Sequence, residues 1–515
     1  MLPEFRNEPS TDFPVESNRN AFRAALAKIE KRLPLKGANR IGGRTLGGTK
    51  TFTSVNPCDP RQIIGRFPES TVADASRAVE AAARAFASWS RFAAEERSAL
   101  LVRIAAILRR RKHDFSAMMV LEESKAWAEA DGDTAEAIDF CEFYAREMER
   151  LAGPQPLTPY PGEKNELEFI PLGVCAVISP WNFPLAILTG MTTAAIVTGN
   201  TVVLKPSSDA AGIATMFVEA CEEAGIPDGV LNFVTGGGRT VGNALVEHPK
   251  TRLVAFTGSR EVGVGISEKA GKVAPGQIWI KRAVLEMGGK DFILVDETAD
   301  LEDAANGIVA AAFGFQGQKC SACSRLIVHR KVHKELLAKV VAKTKALSVG
   351  DVRDPKNTIG AVINEGAQKK ILDYVSIGRR EGKVVAGGKA GPKPGYFVTP
   401  TVIDGIRPDH RVAREEIFGP VLAVLKVKDF DEGIAVANDS EYGLTGSLYS
   451  RERERLARGK RELHCGNLYL NRKCTGALVG VHPFGGFNMS GTDSKAGGRE
   501  YLYLFSQAKA ISEKL

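Results

Sequence analysis

The sequence predicts an α/β protein built on parallel sheets, and three observations carry that reading. From Gly173 onward short apolar runs recur, at 174–178, 201–204, 230–234, 253–257 and 278–285. Helix-like segments at 185–198, 209–224 and 240–247 separate the first four, and another at 261–270 precedes the fifth. Strands alternating with helices at this spacing indicate βαβ units and a sheet covered on both faces. Third, 44% hydrophobic and 25% charged residues is the balance of a soluble globular chain, not of a disordered, collagenous or coiled-coil one. At about 150 residues per domain, 515 residues allow two to four domains. A chain of that length buries a sizeable core without disulfides.

The elements follow in order. Residues 1–70 mix polar segments with a helix-like run at 20–33 and a turn-rich stretch ending at 55–60. Thr71-x-x-Asp74 has the form of a capping box, and Val79, Ala82, Ala83 and Phe86 then fall on one helical face. A second amphipathic helix at 95–112 ends in Arg109-Arg-Arg-Lys112, where basic side chains suit the helix dipole better than a nucleic-acid role. A third helix spans 134–150. Beyond Gly288 the alternation resumes at 292–295, 301–313, 325–329 and 332–347, which reads as a second α/β layer. A turn-rich connector at 382–400, two more β-α pairs, a glycine-rich loop at 485–498 and a short tail complete the chain, with no internal repeat.

Charge and cysteine usage narrow the class. The 69 basic and 61 acidic residues leave +8, too thin over this length to draw nucleic acid or a lipid surface. Eight scattered cysteines are the pattern of reduced thiols, so a cytoplasmic location is expected. Glu4, Glu8, Asp12 and Glu16 at the start exclude a secretory signal and an acid-poor transit peptide. Residues 169–204 carry no charge, but Pro180-Trp-Asn-Phe-Pro184 interrupts them, and a membrane helix needs about 20 unbroken apolar residues. Two buried strands flanking a buried helix are expected instead. The expected partner is a small molecule, with no nucleic acid and no membrane.

Four groups of residues carry chemistry. The first is the loop Phe313-Gly-Phe-Gln-Gly-Gln-Lys-Cys-Ser-Ala-Cys-Ser324. A partly exposed Cys320 beside Lys319 would favour the thiolate that a nucleophile needs; an inert thiol is the alternative. Cys320-x-x-Cys323 also fits a redox or metal pair, but no second such pair and no suitable histidine pair exists. His329 and His333 enclose Arg330 and Lys331, which would repel a metal, so both are expected at the surface and no metal is expected. The second group is Leu285-Glu-Met-Gly-Gly-Lys290, in which Glu286 ends a strand and becomes a fair general base if burial raises its pKa. An ordinary solvated carboxylate is the alternative. Third, Asn182 sits in the apolar frame Pro180-Trp-Asn-Phe-Pro184, where an amide needs a partner such as a developing oxyanion. The fourth comprises Leu204-Lys-Pro-Ser-Ser208, Gly236-Gly-Gly-Arg-Thr-Val-Gly242 and Phe256-Thr-Gly-Ser259, each after a parallel strand, where open α/β sheets bind nucleotides.

In this order the four groups resemble the aldehyde dehydrogenase superfamily over nearly the whole chain. The resemblance implies Cys320 as nucleophile, Glu286 as the base that activates the deacylating water, and Asn182 with the Cys320 N–H as the oxyanion hole. It implies a dinucleotide along Ser179, Pro180, Trp181, Lys205, Ser208, Gly238, Gly242, Phe256, Thr257, Gly258 and Ser259. Glu416 and Phe418, in Glu416-Ile-Phe-Gly-Pro420, match the residues that hold the nicotinamide half. Phe5-Arg-Asn-Glu-Pro9, Trp279-Ile-Lys281, 476–487 and 488–498 are similar to the monofunctional L-glutamate γ-semialdehyde (1-pyrroline-5-carboxylate) dehydrogenases of proline and arginine catabolism. There Ser321, Gly476 and Ala477 hold the substrate's α-carboxylate and amino group, while Phe183 and Phe484 pack its methylenes.

The resemblance also implies an aldehyde dehydrogenase fold. A Rossmann-like parallel-sheet cofactor domain would span 1–150 and 171–286, an α/β catalytic domain 287–475, and a β oligomerisation arm 151–170 and 488–515. The chain would then be a homo-oligomer. NAD is the implied cofactor. Serine at 208, where many NAD-using members carry glutamate, removes a charge that would repel a 2′-phosphate, so NADP is expected to support measurable turnover. Another semialdehyde dehydrogenase, or a catalytically silent relative serving as a binding protein, are the alternatives.

Overall fold

Two seven-stranded sheets position everything else, and their Val, Ile, Leu and Ala runs are buried on both faces. In the computed structural model, which describes residues 2–515, the first sheet comprises β1 (Asn39–Ile41), β2 (Arg44–Leu46), β3 (Val174–Ile178), β4 (Thr201–Lys205), β5 (Leu231–Phe233), β6 (Thr251–Thr257) and β7 (Arg282–Glu286). Their order is β7-β6-β3-β4-β5-β1-β2. Strands β3 to β7 are parallel, and the β1–β2 hairpin closes the far edge. After β5 the chain returns to the other side of β3 to lay down β6. The strand order therefore reverses between β3 and β6, and a crevice opens outside the carboxyl ends of strands at such a point.

The second sheet comprises β8 (Phe292–Val295), β9 (Arg325–His329), β10 (Lys383–Ala386), β11 (Thr401–Asp404), β12 (Val421–Val427), β13 (Thr445–Tyr449) and β14 (Asn467–Leu470), in the order β10-β11-β12-β9-β8-β13-β14. Only β10 is antiparallel to its neighbour. Residues 287–291 lead from the carboxyl end of β7 to the amino end of β8. A ribbon of Glu163–Pro171 against Ser506–Lys514 projects separately. No helix among the described residues is long and apolar enough to cross a membrane.

Local sequence explains most elements. Thr71 caps the helix Val72–Trp89 in the expected capping box with Asp74. Three expectations need correction. Residues 278–281 are not strand: β7 starts at Arg282, whose register partner is Leu253, and Ile278 and Ile280 are 87% and 77% exposed. Trp279 holds that segment outside the sheet by donating from its indole N–H to Thr251 O at 3.1 Å. A helix at Lys112–Glu122 is absent from the sequence reading because every residue of it but the half-buried His113 is buried, so it shows no polar period. His329 is not at the surface but buried within β9, while His333 pairs with Asp404 at 2.7 Å.

One buried ion pair ties the first layers together. Lys125 and Asp133 are fully buried and 2.6 Å apart. Asp133 also accepts from the Ala186 N–H that begins the helix Ala186–Val197. Removing one partner from such a pair strands the other charge, at a cost of about 3–5 kcal/mol. Lys125→Met should lower the urea unfolding free energy by that amount, and adding Asp133→Asn should recover most of it. Loss below about 1 kcal/mol in the single variant would mean the pair is dispensable.

Candidate active site

Five loops leave the carboxyl ends of β3 to β7, and they bring Ser179–Phe183, Lys205–Ser208, Gly236–Gly242, Thr257–Ser259 and Glu286–Gly289 to one edge of the first sheet. Opposite them lies the loop between the helix Leu301–Phe313 and β9, at the amino end of the second sheet. Phe315, Gln316 and Gly317 there adopt left-handed φ of 47°, 56° and 65°, which reverses the chain ahead of Cys320. Side-chain bonds hold this costly turn: the Gln316 amide donates to Ser124 O at 3.0 Å and to Ala361 O at 2.8 Å. Cys320 then lines a cavity of about 460 Å³ together with Glu286, Ser321, Phe183, Phe484, Gly476 and Ala477. Thr257 lines it as well. Cys323, by contrast, is buried in the helix–sheet core, its Sγ 3.6 Å from Arg325 O.

The glycines at 288 and 289 are set by close approach. A Cβ at Gly288 would strike the Glu416 carboxylate, and one at Gly289 would lie 2.5 Å from Cys320 O. With no side chain there, the Gly289 N–H donates to Glu416 Oε1 at 3.0 Å. Glu416 and Phe418, the latter at φ 59°, therefore lie beside the link between the sheets. The Phe418 ring meets that of Trp181 edge-on, 5.5 Å between centroids.

The electrostatics differ from the expected picture. Lys319 does not assist the thiol; its ammonium pairs with Glu129 at 2.6 Å. Burial and the nearby carboxylates of Asp291, Glu286 and Glu416 push the Cys320 thiol above its ordinary range. Glu286 is likewise buried, and loss of solvent raises its carboxyl to about 8. Its Oε1 accepts from the Ser494 hydroxyl, while Oε2 has no partner among the described residues. Asn182 does not line the cavity. Its amide donates to Gln318 O at 3.1 Å, behind the cysteine loop.

On the cofactor side, burial lowers Lys205 to about 8, and its ammonium donates to the adjacent Pro206 carbonyl at 2.8 Å. Gly242 lies against the Lys205 stem, and Gly238 opens a π-helical turn with free space above it. The Ser179 hydroxyl is buried without a partner among the described residues. Ser259 caps the helix Arg260–Ala270, Gly258 packs on Phe256, and Ser208 starts a short 3-10 turn, half-buried.

Residues missed at the sequence level form the far wall. The helix Trp127–Ala152 contributes Glu129, Asp133, Glu136 and Asp139 to the cavity, and burial raises Glu136 to about 8 and Asp139 to about 6. Helical periodicity treats such positions as a polar face; only the third dimension turns them inward. Arg472 is also new, bracing the Gly476 turn by donating to Thr475 O and Gly476 O at 3.1 Å.

Residues 45–511 match the aldehyde dehydrogenase family, and the chain belongs to it. A 1-pyrroline-5-carboxylate dehydrogenase of Geobacillus thermodenitrificans is 53% identical, covering all of both chains. The structure of a Thermus 1-pyrroline-5-carboxylate dehydrogenase with bound NAD is similar at a TM-score of 0.98 and 48% identity, again over the whole of both chains. Proline utilization A of Bdellovibrio bacteriovorus is 42% identical with a TM-score of 0.98, and 53% of that longer chain is covered.

The contrast between the two thiols of Cys320-x-x-Cys323 is testable. Cys320→Ala should abolish aldehyde oxidation without moving the thermal midpoint, and Cys323→Ala should retain most activity. Equal loss of activity in both, measured by nucleotide reduction, would favour a paired role for the two sulfurs.

Proposed function

We propose that this aldehyde dehydrogenase oxidises L-glutamate γ-semialdehyde, in equilibrium with 1-pyrroline-5-carboxylate, to L-glutamate with reduction of NAD. The observation that carries the reading is the Gly476–Ala477 turn across the cavity from Cys320. Gly476 has a φ of 81°, and neither its N–H nor that of Ala477 is engaged by another group among the described residues. Two free N–H groups in a tight turn form an anion nest, and the Ser321 hydroxyl adds a further donor. Among the described residues no arginine lines the cavity, although a simple dicarboxylate semialdehyde is best clamped by a bidentate guanidinium. Phe183 and Phe484 supply apolar surface for its methylenes.

The residues of the crevice fit a dinucleotide. Among the described residues, the buried Ser179 hydroxyl has no partner and the Lys205 ammonium donates to its neighbour's carbonyl alone, and the Gly238–Gly242 turn is open, so donors and space stand without an internal use. Ser179, Pro180, Trp181, Lys205, Ser208, Phe256, Thr257 and Ser259 would hold the dinucleotide, with Glu416 and Phe418 at its nicotinamide half. NAD supplies the acceptor for the hydride that leaves the aldehyde carbon. NADP is a slower alternative, since Ser208 brings no charge against a 2′-phosphate.

The chain's own groups perform the remaining work. Cys320, once deprotonated, adds to the aldehyde carbon, and the oxyanion receives the Cys320 N–H; the Asn182 amide, bonded to Gln318 O, holds the loop that presents that N–H. After oxidation to the thioester, Glu286 takes a proton from water, which attacks the acyl carbon and expels the Cys320 thiolate. Glu286 acts as base only when ionised. With its carboxyl raised to about 8, the ionised fraction grows as pH rises through that value. The ribbon Glu163–Pro171 with Ser506–Lys514 leaves free strand edges, which a second copy can cover, and a homo-oligomer is proposed on that ground.

Two outcomes test this reading. Glu286→Gln should slow turnover by about 10²-fold or more and abolish the rise of kcat towards pH 8, while a burst of reduced nucleotide survives. Ser321→Ala should weaken catalysis on glutamate semialdehyde by about 1–3 kcal/mol, the cost of a polar group left unpaired, yet leave propanal oxidation nearly unchanged. A wild-type preference for succinate semialdehyde or propanal over glutamate semialdehyde would overturn the substrate.

A further inference from the structure

The glycine-rich segment 485–498 does more than close the cavity. Its stretch Ser490–Thr492 runs along the end of β7 as an added antiparallel strand. Met287 N donates to Ser490 O at 2.7 Å, Thr492 N to Leu285 O at 3.0 Å, and Leu285 N to Thr492 Oγ1 at 3.0 Å. Glu286 and Gly491 form a bridge between them. This register fixes Ser494 two residues further on, fully buried, with its hydroxyl on Glu286 Oε1. The berth leaves no spare room: a Cβ at Gly485 would sit 2.9 Å from Oε1, and one at Gly491 would sit 3.3 Å from Oε2. Lys495 anchors the other side, its ammonium donating to Gly466 O at 2.7 Å and to Gly485 O at 2.6 Å.

We propose that Ser494 is the positioning residue of the deacylation step, holding one oxygen of Glu286 so that the other alone is free to take the proton of water. The inference rests on the reading of Glu286 as base. A hydroxyl that donates to a carboxylate favours its charged form, so Ser494 also keeps the base available at lower pH than burial alone would allow. The other charged groups facing Glu286 are Lys495, which acts in the same direction, and Asp493, which opposes it. The Cys320 thiol and the Tyr501 hydroxyl feel the Glu286 charge in turn. Of these, only Ser494 donates a side-chain hydrogen bond to the carboxylate.

The test compares Ser494→Ala, Ser494→Thr and Glu286→Gln in burst and steady-state assays across pH. Burst amplitude counts the folded, acylating sites in each preparation, so a loss of fold is divided out. Per active site, Ser494→Ala should keep its burst and its KM, but the ascending limb of kcat should move up by about one to two pH units, the scale of one hydrogen bond to a charged group. Ser494→Thr, which keeps the hydroxyl, should restore the limb. In Glu286→Gln the limb should vanish, and adding Ser494→Ala should change nothing further. An unshifted limb in Ser494→Ala would overturn the role of Ser494 while leaving Glu286 as base. A limb that persists in Glu286→Gln would instead overturn the reading of Glu286 itself.

Discussion

A single ammonium buried between two loops holds the halves of the reaction cavity in register. The Lys125 Nζ lies 4.2 Å from the centroid of the Phe183 ring and 4.5 Å from that of Phe315. Phe183 follows Asn182 in the loop after β3, and Phe315 is the first residue of the reversal that presents Cys320. The cation is thus shared by the cofactor sheet and the nucleophile loop, while Asp133 neutralises it from the helix Trp127–Ala152. Cation–π contacts gain strength when water is excluded, and here the charge has no exposure at all. Fix Lys125, and the relative position of Asn182 and Cys320 is fixed with it. The bond from Asn182 to Gln318 O is the visible result.

Around that anchor the site is unusually acidic for a chain with a positive net charge. Glu286, Glu416 and Asp291 all face the thiol, and burial holds each of their carboxyls above the usual range. Mutual repulsion and desolvation act in the same direction, so the resting site stores its protons instead of its charges. A thiol held protonated is a poor nucleophile and a poor target for oxidants. The Gly289 N–H on Glu416 and the Ser494 hydroxyl on Glu286 are what keep two of these acids from being fully neutral and fix where each points.

Much of this was legible in the sequence. The strands 174–178, 292–295 and 325–329 are read to the residue because each is a short apolar run bounded by turn chemistry. Cys320, Glu286 and the loops after the parallel strands were visible because glycines and prolines mark the strand ends where a sheet exposes side chains. The missed features share a different property: they depend on what lies opposite. By sequence Lys319 reads as an activator of its neighbour, but its ammonium donates to Glu129, 190 residues away in sequence. The helix Lys112–Glu122 has no period because all of it but the half-buried His113 is buried. Ile278 and Ile280 form an apolar run without a core, since β6 offers no partner beyond Leu253.

The placement of nucleophile and base on different sheets follows from the same geometry. Within a parallel sheet both faces are covered by helices, so a side chain can reach a cavity only at a strand end. Carboxyl ends in the first sheet release Glu286 and the glycine turns; amino ends in the second receive the loop bearing Cys320 and Ser321. Between them runs only the link 287–291, and its glycines admit Glu416 and the Cys320 carbonyl where any side chain would bar them. A nucleophile and base on a single sheet would have to share one loop edge with the dinucleotide. Setting them across a glycine link leaves the switch point between β3 and β6 free for the cofactor, and lets a segment as distant as Ser490–Ser494 complete the base from the open edge of β7.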